Sequence, residues 1–195
     1  MRRKKTNFIN QSMKTFISLL LFLTINYLSG QTSSKDNIVF WSATRKLTVD
    51  DFGIKTQNAE TNTSYAQFFV DYQVSGLDLI KNNFNKKVRN YLVKSASSID
   101  TTRNVSISLL YQQTLFDMCE IYSRQFRKAL KENRKKIAFE KQFIQEQNQK
   151  AMTDFSNRRI EYDRETNFGT IPAAQAEWEL RIKKELEELN KFASE

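Results

Sequence analysis

Leu109-Leu110-Tyr111-Gln112-Gln113-Thr114-Leu115-Phe116-Asp117-Met118-Cys119-Glu120-Ile121-Tyr122 is the stretch on which the reading of the fold turns. Tyr111, Leu115, Met118, Tyr122, Phe126 and Ala129 recur at steps of four, three, four, four and three. Residues three and four apart share one side of an α-helix, so these side chains form a single apolar stripe. The spacing predicts an amphipathic helix from about Val105 to about Lys131, stripe inward. Glu120, Arg124, Arg127, Lys128 and Lys131 fall largely away from the stripe.

Downstream, Lys131, Arg134, Lys135 and Lys136 face only Glu132, which makes a basic helix end. Such a run is a candidate anion-binding patch for lipid head groups, acidic glycans or nucleic acid. The plainer reading is a solvated helix end whose cations complement the macrodipole. Ile137 to Phe155 reads as a second long helix, and Ile160 to Gly169 breaks the helical pattern. Gly169, Thr170 and Pro172 mark a loop and a new start, with Thr170 or Ile171 at the cap. Gln175, Trp178, Ile182, Leu186 and Leu189 then carry a C-terminal helix.

Upstream the period changes. Ile38 to Trp41 reads as a short strand, and Thr48 or Asp50 caps a turn pinned by Leu47 and Phe52. Residues 55–63 read as a loop. From Ser64 to Ser75, Ala66, Phe68, Val70, Tyr72 and Val74 alternate with polar residues, the signature of a strand with one apolar face. Leu77 to Phe84 reads as a further strand or a turn into one. Val88, Tyr91 and Leu92 fit helical spacing, and Ser95 to Asn104 reads as a connection that caps the long helix. Four Gly and one Pro in 195 residues disfavour an all-β fold with many tight turns. The expectation is one α+β domain, with short N-terminal antiparallel strands packed on long amphipathic helices.

Residues 1–30 read as a signal peptide. Arg2, Arg3, Lys4, Lys5 and Lys14 occur there with no acid, an apolar run spans Phe16 to Leu28, and Ser29 and Gly30 precede Gln31. Residues 31–37 then form a loose leader, and 38–195 form the domain. The chain is expected to be exported, periplasmic or secreted, and to meet a membrane only through the signal segment before cleavage. An uncleaved anchor in the inner membrane is the alternative. The formal charge of +9 shrinks without that segment: five of the 31 Lys and Arg lie in it, leaving 26 against 22 acids, or +4. That balance points to no specific nucleic-acid partner. Cys119, the single cysteine, reads as a buried thiol beside Met118. The chain has no His, so a nucleophile–imidazole pair is excluded.

Three segments resemble a bacterial domain of unknown function described as a predicted secreted zinc-dependent protease. Arg45, Leu47, Thr48, Asp51 and Phe52 match its Arg-x-Leu-Thr-x-x-Asp-Phe pattern. The run Leu109 to Asp117, followed by Glu120, Tyr122 and Arg124, matches Leu-Leu-x-His-Glu-Gln-x-His-Phe-Asp and Glu-x-Tyr-x-Arg. Tyr162 to Gly169 with Gln175 and Trp178 matches Tyr-Asp-x-Glu-Thr-x-His-Gly and Gln-x-x-Trp. The resemblance implies a zincin-like fold. It also places Tyr111 and Leu115 at the family's helix histidines, Gln112 at its general base, and Phe168 at a third ligand. Asp117, Asp163 and Glu165 would be relics of a second shell that once oriented those histidines.

A zinc site takes about three N, S or carboxylate ligands and an open water position. Tyr111, Leu115 and Phe168 supply none of that set, and Gln112 takes no proton from water, so no metal and no cofactor is expected. The favoured reading is a catalytically inactive binding or structural module with an unknown protein or peptide partner. One alternative is a divergent secreted hydrolase that uses carboxylates or another metal. The other is an envelope-associated binder of anionic polymers through the basic helix end. If Tyr111, Leu115 and Phe168 inherit one ligand set, they are expected to converge.

Overall fold

The computed structural model describes residues 35–60, 64–74, 78, 84–140 and 142–194. The expected signal segment 1–30 and most of the Leu77–Phe84 segment lie outside them. The fold is α+β. Among the described residues six short strands precede four α-helices: β1 Ile38–Phe40, β2 Ile54–Thr56, β3 Ser64–Tyr65, β4 Phe68–Tyr72, β5 Val88–Val93 and β6 Ser98–Asp100. The helices are α1 Val105–Glu132, α2 Arg134–Phe139, α3 Gln142–Thr166 and α4 Pro172–Glu188.

The strands form two three-stranded sheets. The first runs β1-β5-β4 and is antiparallel throughout, with Phe40 opposite Tyr91 and Phe68 opposite Leu92. The second runs β2-β6-β3, and its β2–β6 pair is parallel, which corrects the expectation of antiparallel strands alone. Val88–Val93 is the central strand of the first sheet and not helical, because Val88, Asn90 and Leu92 alternate as its buried side. A polar Asn in the middle of that side hides the alternation from a reading of apolar periods. Ser95–Asn104 contains a strand as well as a connection. Asn37 bonds Ser95 in both directions at 2.9 Å, which ties residue 37 to the end of β5.

The link from β6 to α1 is built on Asp100. Its carboxylate accepts the backbone N–H of Ala59 at 2.5 Å, of Thr102 at 2.7 Å and of Arg103 at 2.9 Å. Those bonds, the Ala59 one foremost, hold its pKa well below the usual carboxylate range. Asn104 takes the N-cap position of α1 in a left-handed conformation with no side-chain cap bond, so Asp100 orders the turn that the cap was expected to order.

The long helix α1 is the centre of the domain. The rings of Phe68 and Phe116 stack at 5.0 Å on its sheet side, and Tyr72 meets Phe126 edge-on at 5.7 Å. α3 runs antiparallel along α1, pairing Phe155 with Tyr122 and Tyr162 with Tyr111. α4 runs parallel to α1, pairing Gln175 with Thr114 and Leu186 with Arg124. Enclosed in this way, α1 is buried on almost every side from Tyr111 to Arg124. Glu120, Arg124 and Arg127 therefore do not face solvent as an amphipathic helix requires. Glu120 and Arg127 are fully buried.

A buried ion network explains that placement. Glu120 Oε1 accepts from Arg124 Nε at 3.0 Å and from Arg127 Nη1 at 2.7 Å. Asn90, with its amide turned so that both atoms are satisfied, donates to Glu120 Oε2 at 2.7 Å. Two cations then share one anion, and the remaining guanidinium hydrogens go to backbone carbonyls. Arg124 donates to Leu186 O at 2.6 Å, and Arg127 donates to Val88 O at 2.8 Å and Phe192 O at 2.9 Å. Leu186 O lies in the last turn of α4, where the dipole is negative and favours a cation.

The remaining helix boundaries also differ from the pattern reading. α2 and α3 are separated at Glu140, so no single helix spans Ile137–Phe155. α3 continues to Thr166 through the segment from Ile160 onward that was expected to break it. Ile160 is exposed, which disturbs the apolar period, while Tyr162 and Thr166 face inward one turn apart. α4 begins with Ile171 at the cap and Pro172 in its first turn.

Glu120→Gln keeps the shape of the network but leaves two buried guanidinium groups with no counter-charge. Urea unfolding is expected to show a loss of about 3–5 kcal/mol, and a variant as stable as the parent refutes the role given to Glu120. Asp100 is expected to act through pH. Its folded acidity is stronger than the unfolded value of about 3.9, so its contribution is full above about pH 5 and is lost as pH falls. Asp100→Asn is expected to melt lower than the parent at pH 7, with the gap closing in acid. A gap constant from pH 7 to pH 3 contradicts this.

Candidate functional site

Tyr111, Gln112, Leu115 and Phe168, the positions that the resemblance assigns to a metal site, lie in the N-terminal half of α1 and in the turn after α3. Tyr111 is buried, and its ring stacks on Tyr162 at 5.2 Å with an 11° interplanar angle. Its phenol donates to Asp163 Oδ1 at 2.5 Å. Burial, and then the bond to Asp163, push its pKa far above the ordinary phenol value, so Tyr111 stays protonated. Phe168 meets the edge of Tyr111 at 6.3 Å and is half-exposed. Leu115, one turn further along α1, is fully buried in the hydrophobic core. Gln112 is buried and donates to Ser64 Oγ at 3.1 Å, while its own carbonyl oxygen has no partner.

The turn after α3 brings this end together. Asn167, Phe168 and Gly169 have φ of 45°, 57° and 80°, three left-handed residues in succession. Thr166 Oγ1 donates to Tyr162 O at 2.7 Å and accepts from Gly169 N–H at 3.0 Å. A Cβ at residue 169 would lie 2.7 Å from Tyr111 Cβ, so glycine is required there by conformation and by the closeness of α1.

The residues that would hold a zinc ion do not fit one. A buried phenol committed to Asp163, a core leucine and a half-exposed phenylalanine offer no coordinating set. Among the described residues no three His, Cys, Asp or Glu side chains gather as a group that could hold a metal ion.

The three acids read as relics separate. Asp163 serves Tyr111, with Arg159 at 3.7 Å. Glu165 accepts the Trp178 indole N–H at 2.8 Å. Asp117 lies on another side of α1, where it accepts from Trp41 Nε1 and Gln113 Nε2, both at 2.8 Å. With Glu120 held by two arginines, all four carboxylates are engaged in positioning neighbours, and no two share a site suited to acid–base exchange. Cys119 is fully buried and pushed up to about 12 by that burial, with the nearby Glu120 adding to it, so it is no nucleophile at neutral pH. Lys131, Arg134, Lys135 and Lys136 are exposed at the far end of α1 and in α2.

The open volume lies elsewhere, between residues 41–47, α1 and α4. A cleft of about 880 Å³ has Trp41, Leu47, Leu109, Leu110, Ile182 and Leu186 as apolar walls, with Lys46 and Lys183 among its charged groups. Gln113 fixes its floor: its carbonyl accepts Leu47 N–H at 2.8 Å while its amide donates to Asp117. The Arg124 guanidinium lies 5.3 Å from the centre of the Trp41 ring at the cleft wall. Of these residues sequence reasoning singled out Asp117 alone, as a relic of a second shell and not as part of this cleft. The available signal was Leu109 and Leu110, apolar residues off the inward stripe.

The 41–47 wall is held by the first matching segment. Asp51 accepts from Thr48 N–H at 2.8 Å and pairs with Arg45 at 2.5 Å, while Leu47 and Phe52 are buried. Comparison with protein-family models, with curated proteins and with solved structures found no match.

Gly169→Ala is expected to destabilise the domain by about 1–3 kcal/mol through forced left-handed backbone strain, and to change the near-ultraviolet dichroism of the Tyr111–Tyr162 stack. An unchanged melting temperature and spectrum contradict the close approach.

Proposed function

We propose that this chain is a non-catalytic ligand-binding module, exported from the cell and built on a zincin-like scaffold whose metal site has been filled in. One observation carries the reading. Tyr111, Gln112 and Leu115, which stand where the resemblance puts two metal ligands and a base, are buried packing residues, while the open cleft lies across α1. The other matching residues support it, because each has a structural task. Arg45, Thr48 and Asp51 shape a turn; Glu120 and Arg124 join a buried ion network; Tyr162, Gln175 and Trp178 pack α3 and α4 against α1. A volume of that size with apolar walls and a few fixed polar groups suits two or three side chains of a peptide segment or a small apolar molecule. Asp117 in the cleft wall is engaged by Trp41, Gln113 and Lys46, and Glu179 accepts from Gln175, which supports a cleft that holds its occupant and does not transform it.

The test has two parts. Purified protein is expected to contain far less than one zinc per chain and to leave peptide substrates intact after incubation with zinc. Stoichiometric zinc, or hydrolysis that disappears in Tyr111→Phe or Asp163→Asn, overturns the inactive reading. The cleft is read separately with an environment-sensitive apolar dye. Its fluorescence is expected to rise on binding and to fall at least several-fold in Leu110→Asp, since Leu110 is half-exposed and its replacement leaves the core intact. Dye binding unchanged by Leu110→Asp removes the cleft from the proposal.

A further inference from the structure

We infer that the end of the domain opposite the Tyr111–Phe168 turn is a docking face for a phosphate-bearing lipid surface. The basic run read from the sequence is not one patch. Arg124 and Arg127 turn inward to Glu120, and Lys136 lies 3.6 Å from Glu140 and 4.8 Å from the centre of the Phe143 ring. What stays outside is an assembled set. Lys128 and Lys131, three apart, share one side of α1, and Lys135 follows in α2 just past Asn133, which closes α1 on Ala129 O and opens α2 by accepting Ile137 N–H.

Two distant segments add to this side. Lys131 and Lys191 both lie over the Phe192 ring, at 5.9 and 5.0 Å from its centre, so one buried aromatic positions two ammonium groups. Asn85 donates to Lys191 O at 3.0 Å, which brings the turn Phe84–Lys86, and Lys86 with it, to the same end. Arg127 fixes the three segments together through Val88 O and Phe192 O. Among the described residues Lys86, Lys128, Lys131, Lys135 and Lys191 make no ion pair, and Glu132 is the acid that lies among the helix positions. Like charges held this close favour an opposing array of anions.

The chemistry selects lipid phosphate over nucleic acid. Among the described residues none of the exposed large apolar or aromatic side chains belongs to these segments, so they present charge with no ring on which bases would stack. Such a cationic surface is suited to reversible adsorption on anionic head groups, where each Lys contributes roughly a factor of five in affinity.

The experiment is lysine acetylation footprinting of the full chain, read residue by residue by mass spectrometry. Three samples are compared: vesicles of phosphatidylglycerol with phosphatidylcholine, vesicles of phosphatidylcholine alone, and no vesicles. The apolar run at Phe16 to Leu28 is common to every arm, and the readout is local to each lysine. Expected is slowed acetylation of Lys86, Lys128, Lys131, Lys135 and Lys191, at least about threefold, on the anionic vesicles alone and reversed by high salt. Lys55 and Lys150 are expected to be unchanged. Lys131→Glu with Lys135→Glu, or the milder Gln pair if the reversals misfold, is expected to remove the protection of Lys86 and Lys191. Uniform protection of all lysines, equal protection by neutral vesicles, or persistence in the double variants overturns the inference. Protection by inorganic phosphate at the same phosphate concentration makes this a free-anion site, and protection by duplex DNA without any by vesicles makes it a nucleic-acid face.

Discussion

One carboxylate, Glu120, holds two guanidinium groups in the middle of the longest helix, where no solvent reaches. Removing three charges from water is costly, and the cost is offset only when every donor finds an acceptor. That requirement reaches across the domain. Asn90 must sit on the buried side of β5, Leu186 must end its helix beside Arg124, and Phe192 must fold back so that its carbonyl meets Arg127. Hydrophobic packing could tolerate small shifts among these parts, whereas directed bonds at 2.6–3.0 Å cannot. The network thus sets the register between sheet, central helix and C-terminal helix.

Seen from that network, the three motif segments are one scaffold. The first fastens the chain beside Trp41, the second supplies the ion network and the third closes α3 against α4. Each segment keeps polar residues whose partners are named bonds inside the domain. Of the positions that differ from the resemblance, Leu115 and Phe168 fill space, while Tyr111 and Gln112 also donate to Asp163 and Ser64. A Tyr–Tyr stack, a core Leu and a glycine under a ring can occupy the helix crossing without disturbing the bonds that hold the elements together.

The legible part of the sequence was the part governed by a single period. The α+β class and the extent of α1 followed from apolar spacing, the Phe68–Tyr72 strand from alternation, and the start of α4 from the loop and cap signals at Gly169, Thr170 and Pro172. Val88–Val93 was unreadable because its buried centre is Asn90, whose reason for being there is Glu120, thirty residues on. The solvent side assigned to Arg124 and Arg127 failed for the same cause: periodicity places charge outside unless a buried partner is known. Ile160 misled in the opposite direction, as an exposed apolar residue that blurred a continuous helix. The cleft could not be read at all, since its walls come from residues 41–47, α1 and α4, and only the tertiary fold makes them neighbours.

The position of Phe192 ties the segment after α4 to the centre of the domain. Its ring is buried and its carbonyl accepts from Arg127 Nη1 at 2.9 Å, so a local detachment of that segment leaves a buried cation short of an acceptor. Opening at this edge is therefore coupled to loosening of the core, and the segment after α4 shares the stability of the central helix and does not fray by itself.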